Sequence, residues 1–144
     1  MDKDFLDKIK ESMELEALVP NEVAPLILAY IGDAVYDVIV RTLEISKGNR
    51  QVNKINKDSI KLVNAKAQAD MIDILEEKLT EEELTIYKRG RNAKANTSAK
   101  NASIRDYRKA TGFEALIGYL YLSHKEDRML ELVKEGFSGL ENRK

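Results

Sequence analysis

Residues 28–41 read LAYIGDAVYDVIVR, an apolar helix with a carboxylate set into it. Leu28, Ile31, Val35 and Val38 recur at helical spacing and line one face expected to be buried. Asp33 lies roughly 200° around the helix from Val35, at about 100° per residue. Gly32, beside it, costs this mid-helix position about 1 kcal/mol relative to Ala. In return it leaves space for another helix or a ligand to come close. Residues 113–122, FEALIGYLYL, repeat the design with Glu114 and, one turn on, Gly118. A carboxylate in apolar surroundings is costly unless it is paired or binds a metal. No basic residue stands within a turn of either acid. The two acids therefore point to a shared cation.

Composition bounds the class. A chain of 144 residues is expected to form one domain, 1–144, with a core over about 22–137 and a loose tail at 138–144. Hydrophobic residues make up 43% and charged residues 34%, as in soluble globular proteins. No apolar run approaches the roughly 18 residues of a membrane span. The N-terminal MDKDFLDKIK lacks a signal-peptide stretch. The absence of cysteine excludes disulfides, thiolate nucleophiles and zinc–thiolate sites. A cytoplasmic protein with no membrane partner is expected. The single histidine, His124, sits in the polar stretch SHKEDR and gives little support to a Ser-His-Asp triad.

The net charge of −1 conceals segregation. Residues 47–66 hold six basic residues and one acid, and residues 88–109 hold eight and one. Acids collect elsewhere, as in EEKLTEEE at 76–83. A basic surface on a nearly neutral protein fits a polyanion partner, although two solvated basic faces would read the same way.

Helix is favoured almost throughout, over about 4–16, 22–46, 51–77, 81–89, 103–123 and 125–137. Pro20-Asn21-Glu22 reads as a helix entry, and Pro25 suits a first turn. Thr80 and Glu83 form a capping-box pattern, and Lys47-Gly48-Asn49 a C-terminal stop. Residues 90–103, GRNAKANTSAKNAS, have no apolar face and are expected to form an exposed basic loop.

Taken together, these stretches resemble the ribonuclease III family, in its short Mini-ribonuclease III branch. YIGDAV at Tyr30–Val35 and FEALIGYLYL at Phe113–Leu122 are similar to the family's two catalytic motifs. LVNAKAQAD at Leu62–Asp70 and KRGRNAKAN at Lys88–Asn96 are similar to stretches of the Mini branch. The resemblance covers roughly residues 22–137. It implies an all-α, ribonuclease III-type helical endonuclease domain that works as a homodimer. The implied chemistry is Mg²⁺-dependent cleavage of double-stranded RNA, with Mn²⁺ as a substitute and Asp33 and Glu114 as the catalytic, metal-binding pair. The implied substrate is a precursor of large-subunit (23S-type) ribosomal RNA, with ribosomal proteins as possible further partners.

Two carboxylates of the larger family pattern are missing, because Ala29 and Thr111 stand at their places. Small residues there are typical of the Mini branch. The Thr111 hydroxyl could hold a metal-bound water, and Asp37 could be a supporting acid or an ordinary ion-pair partner. Few residues remain past the last helix for an appended double-stranded-RNA-binding domain, so RNA contacts are expected on the domain itself. Lys88, Arg89, Arg91, Asn92 and Lys94 are the expected contacts, with Lys66 and Gln68 as further ones. The main alternative is a non-catalytic RNA-binding or ribosome-associated protein on the same fold. It leaves the two costly acids unexplained. A helical protein-interaction module leaves the basic segments unexplained.

Overall fold

The computed structural model describes residues 2–93 and 103–143. Among them there is no strand. In chain order they form α1 (Phe5–Ser12), α2 (Pro25–Ile45), α3 (Val52–Val63), α4 (Ala65–Leu75), α5 (Glu81–Asn92), α6 (Ile104–Leu122) and α7 (Glu126–Asn142). Short 3₁₀ turns occupy Pro20–Glu22 and Glu76–Lys78.

The hub is α6, which packs against α2, α4, α5 and α7. From Ala110 to Leu120 every residue is buried except Glu114, which is half-buried. A helix apolar all round belongs inside a bundle. Phe113, Leu116, Ile117 and Leu120 are fully buried, and Tyr36 of α2 meets the Phe113 ring edge-on at 5.2 Å between centroids.

Pro25 opens α2, where its missing N–H costs nothing. The buried stripe of α2 runs Leu28, Gly32, Tyr36, Val40, Glu44, one residue every four. That is an i±4 ridge, the kind that settles into a neighbouring helix groove. It departs from the expected face. Ile31 and Val35 are only half-buried, and Val38 is 64% exposed. The reason is that α2 meets α6 through Gly32, not through its largest apolar side chains. A Cβ on Gly32 would stand 1.8 Å from the Glu114 carbonyl oxygen, and one on Gly118 would stand 2.0 Å from that of Leu28. The two helices touch backbone to backbone at reciprocal glycines.

Several element ends also differ from expectation. Residues 51–77 are not one helix, because Asn64 is extended (φ −70°, ψ 161°) and its side chain accepts the Ala67 N–H at 2.8 Å. Asparagine offers the backbone this cap as an alternative to a continuous helix. α5 runs on to Asn92, past the expected end at 89. Gly90 is buried there, with Gly112 and Ala115 of α6 so close that a Cβ would collide with them. α1 stops at Ser12, and Met13 to Val19 lie exposed. The expected loose tail is helical to Asn142, with Leu140 packed against the core. The Thr80–Glu83 capping box is present, and Gly48 adopts φ +119° just past α2.

Gly32→Ala and Gly118→Ala should each destabilise the fold by about 1–3 kcal/mol or more, the usual range for overpacking, despite a helix-propensity gain near 1 kcal/mol. Urea unfolding measures this. A change within about 0.5 kcal/mol would mean that the helices do not cross this closely.

Candidate active site

The glycine crossing sets the geometry of the acids. Asp33 follows Gly32, and Glu114 supplies the carbonyl on which Gly32 rests. Asp33 is exposed and Glu114 half-buried, and the two carboxyls lie close enough to interact by hydrogen bond and by charge. Among the described residues neither acid has a Lys, Arg or His partner. Burial first, then the hydrogen bond and charge of Asp33, push the Glu114 carboxyl up to about 8, against a weaker opposing pull from the Gln68 amide. Burial and the nearby Glu114 likewise push the Tyr36 phenol up. Its hydroxyl donates to the Leu62 carbonyl at 2.8 Å, so Tyr36 ties α2 to the end of α3 just below the acids.

Two carboxylates that share one spot without a cationic side chain hold a proton between them or bind a cation. The donor set suits a hard divalent ion, which takes oxygen ligands and commonly uses one or two carboxylates. A further oxygen adjoins the site. Gln68 is 2% exposed, its Nε2 lies 3.4 Å from Glu114 Oε2, and its Oε1 is buried with no hydrogen-bond partner.

The other expected site residues fall into different settings. Thr111 is buried and its hydroxyl donates to the Tyr107 carbonyl at 3.0 Å. Asp37 pairs with Arg41 at 3.0 Å, the ion-pair arrangement. Gln68 is not on the surface, and its expected RNA contact gives way to a place beside Glu114. Lys66 is exposed and pairs with Asp70 at 3.3 Å. Lys88, Arg89 and Asn92 are exposed on α5, not in a loop. The Arg91 guanidinium lies 5.6 Å from the centre of the Tyr87 ring. Lys94 falls outside the described residues. His124 bonds Asp4 at 3.0 Å, at the start of α1, and takes no part in the acid pair.

Structure separates the two basic segments by how their charges are paired. In 47–66 most charges are answered locally: Lys47 and Arg50 pair with Glu44, and Arg50, Lys54 and Lys61 with Asp58, while exposed Lys57 makes no ion pair among the described residues. In 88–109, among the described residues, only Lys109 makes an ion pair, with Asp73 at 2.6 Å. Arg105 and Arg108, which the residue-level reading passed over, line one shallow cleft with Arg91, Asn92, Ile104 and Lys109. Their signal lay in the charge count of the segment, which does not say which face of α6 they occupy.

Residues 26–125 match the family model of the ribonuclease III domain. Fold and match together define a ribonuclease III-type endoribonuclease. The chain is 54% identical over 115 residues to a Mini-ribonuclease 3 of Clostridium tetani, covering 79% of this chain and 76% of that one. It is 53% identical over 122 residues to a Mini-ribonuclease 3 of Brevibacillus brevis, covering 85% and 91%. A crystal structure of a Fusobacterium nucleatum protein superposes with a TM-score of 0.74 at 30% identity, covering 78% of this chain and 92% of that one. The protein belongs to the ribonuclease III family, in its Mini-ribonuclease III branch.

The raised Glu114 carboxyl has a pH signature. Between the ordinary 4.5 and about 8, the folded state keeps a proton that the unfolded chain has released. The folded state therefore binds more protons, and without a cation its stability from this group falls as pH rises across that window. Asp33→Asn removes one of the causes and should make the fall shallower. Thermal unfolding of the cation-free protein between pH 5 and about 8 checks this, and equal slopes for parent and variant would show that the acids do not interact.

Proposed function

We propose that this protein is a Mg²⁺-dependent endoribonuclease that cuts double-stranded RNA as a homodimer and matures the precursor of large-subunit, 23S-type ribosomal RNA. The observation that carries the reading is the Asp33–Glu114 pair, two interacting carboxyls with no basic side chain to neutralise them among the described residues. Asp33 and Glu114 would hold the cation, for which Mn²⁺ has suitable chemistry as a substitute. When bound, the cation supplies Lewis-acid stabilisation of the phosphodiester charge and lowers the pKa of the attacking water. Glu114 would hold the ion as a carboxylate, its proton released to solvent. The α2–α6 crossing holds both carboxyls in place beforehand, so little reorganisation is needed when substrate arrives.

The exposed cations Lys88, Arg89, Arg105 and Arg108, with half-buried Arg91, lie on α5 and the start of α6 and are suited to phosphates of an A-form duplex, which is read mainly by shape. Homodimerisation is supported by Ile27, Val38 and Ile45 on the side of α2 opposite its α6-facing stripe, 58%, 64% and 63% exposed. Tyr30, 80% exposed, extends that patch toward Asp33. An apolar patch of this kind suits an isologous helical interface. The ribosomal substrate, and ribosomal proteins as further partners, rest on the resemblance to the Mini branch.

Cleavage of long double-stranded RNA with Mg²⁺, read on a denaturing gel beside a binding assay, tests the reading. Asp33→Asn and Glu114→Gln should each lose more than the roughly 10- to 100-fold that removal of a supporting group costs, while still binding RNA. Arg105→Ala with Arg108→Ala should do the opposite. Binding should weaken, its salt slope should fall by about one per lost phosphate contact, and cleavage of bound RNA should change less. Parent-like cleavage by either acid variant would exclude the proposed site.

A further inference from the structure

The break between α3 and α4 creates more than a bend. In a continuous helix the Val63 carbonyl would accept the N–H of Ala67. Here the Asn64 side chain takes that N–H, and Val63 is left with an open carbonyl. Gln68, one turn into α4, fills it, since its Nε2 donates to the Val63 oxygen at 2.8 Å. That bond fixes which end of the amide is nitrogen. The same Nε2 lies 3.4 Å from Glu114 Oε2. The other end, Oε1, is buried and has no hydrogen-bond partner. A buried acceptor left in that state costs about 1–3 kcal/mol, and native interiors carry few. A leucine or methionine of similar size would remove that acceptor, at the expense of reopening the Val63 carbonyl that Nε2 fills.

We propose that Gln68 is a positioning residue of the cation site, its buried oxygen accepting a hydrogen bond from a water of the hydrated ion. This rests on the metal reading of the acid pair and adds a third group to it. Divalent ions such as Mg²⁺ keep several waters when only one or two carboxylates bind them, and those waters need acceptors. Groups that support metal ligands in this way tune both orientation and affinity.

The test is Mn²⁺ binding to the RNA-free protein, followed by electron paramagnetic resonance of the free ion, with thermal unfolding alongside. Gln68→Met should weaken Mn²⁺ binding about tenfold. Its cation-free melting temperature should stay close to the parent's, because loss of the orphaned acceptor offsets the reopened Val63 carbonyl. Gln68→Glu keeps an acceptor of the same reach, so it should bind Mn²⁺ at least as well as the parent while melting lower without the ion. A purely structural role expects the reverse, with methionine harmless to Mn²⁺ binding and the buried charge harmful. Parent-like Mn²⁺ binding by Gln68→Met would overturn the proposal. If that variant does not fold, loss of Mn²⁺ binding in Gln68→Glu would overturn it instead. If the parent itself fails to bind Mn²⁺, and Asp33→Asn behaves the same, the metal reading falls and this assignment with it.

Discussion

The rest of the molecule depends on the backbone contact between α2 and α6. Gly32 rests on the Glu114 carbonyl and Gly118 on that of Leu28, each too close for any side chain. This one crossing does two jobs. It packs the longest apolar helix against the hub of the core, and it brings the residue after Gly32 and the residue under Gly32 to the same spot. The two acids are neighbours because the glycines are. A scaffold of packed helices is a stiffer platform than a loop, which is what a site needs if its charges are to be held before substrate arrives.

Charge is distributed to match. The acid pair stands without basic neighbours among the described residues, so nothing cationic offsets the burial and the Asp33 carboxyl that push Glu114 up, and the site is open to a cation. Elsewhere opposite charges are closely matched, as where Glu44, 1% exposed, meets Lys47 and Arg50. Glu83, also buried, meets Arg128 at 2.8 Å and links α5 to α7. Surface pairs contribute little to stability, about 0–1 kcal/mol, but they do neutralise local field. The field that survives belongs to α5 and the start of α6, on a protein whose net charge is only −1.

Much of this was legible in the residues. Gly32 beside Asp33 and Gly118 one turn after Glu114 announced a close approach, because a mid-helix glycine has a cost that must be met by packing. Thr80 with Glu83, and Gly48 after Lys47, gave two element ends through local hydrogen bonding and φ, which a short window of sequence encodes. What stayed hidden was tertiary. Val38 looks like core by periodicity, but the core side of α2 is set by where the glycines sit. Asn64 breaks a helix that periodicity runs straight through, because its side-chain cap competes with the backbone. Gly90 looks like a loop residue until α6 is packed against it. Gln68 reads as a surface contact for RNA, and only the freed Val63 carbonyl gives it a reason to be inside.

The most direct measurement is the anomalous diffraction of a crystal of this protein grown with Mn²⁺. The account expects one strong peak per chain that touches an oxygen of both Asp33 and Glu114 at about 2.0–2.3 Å, the usual range for a hard divalent ion on oxygen. Manganese bound only at other carboxylates, or the Asp33 and Glu114 side chains too far apart to reach one ion, would contradict it.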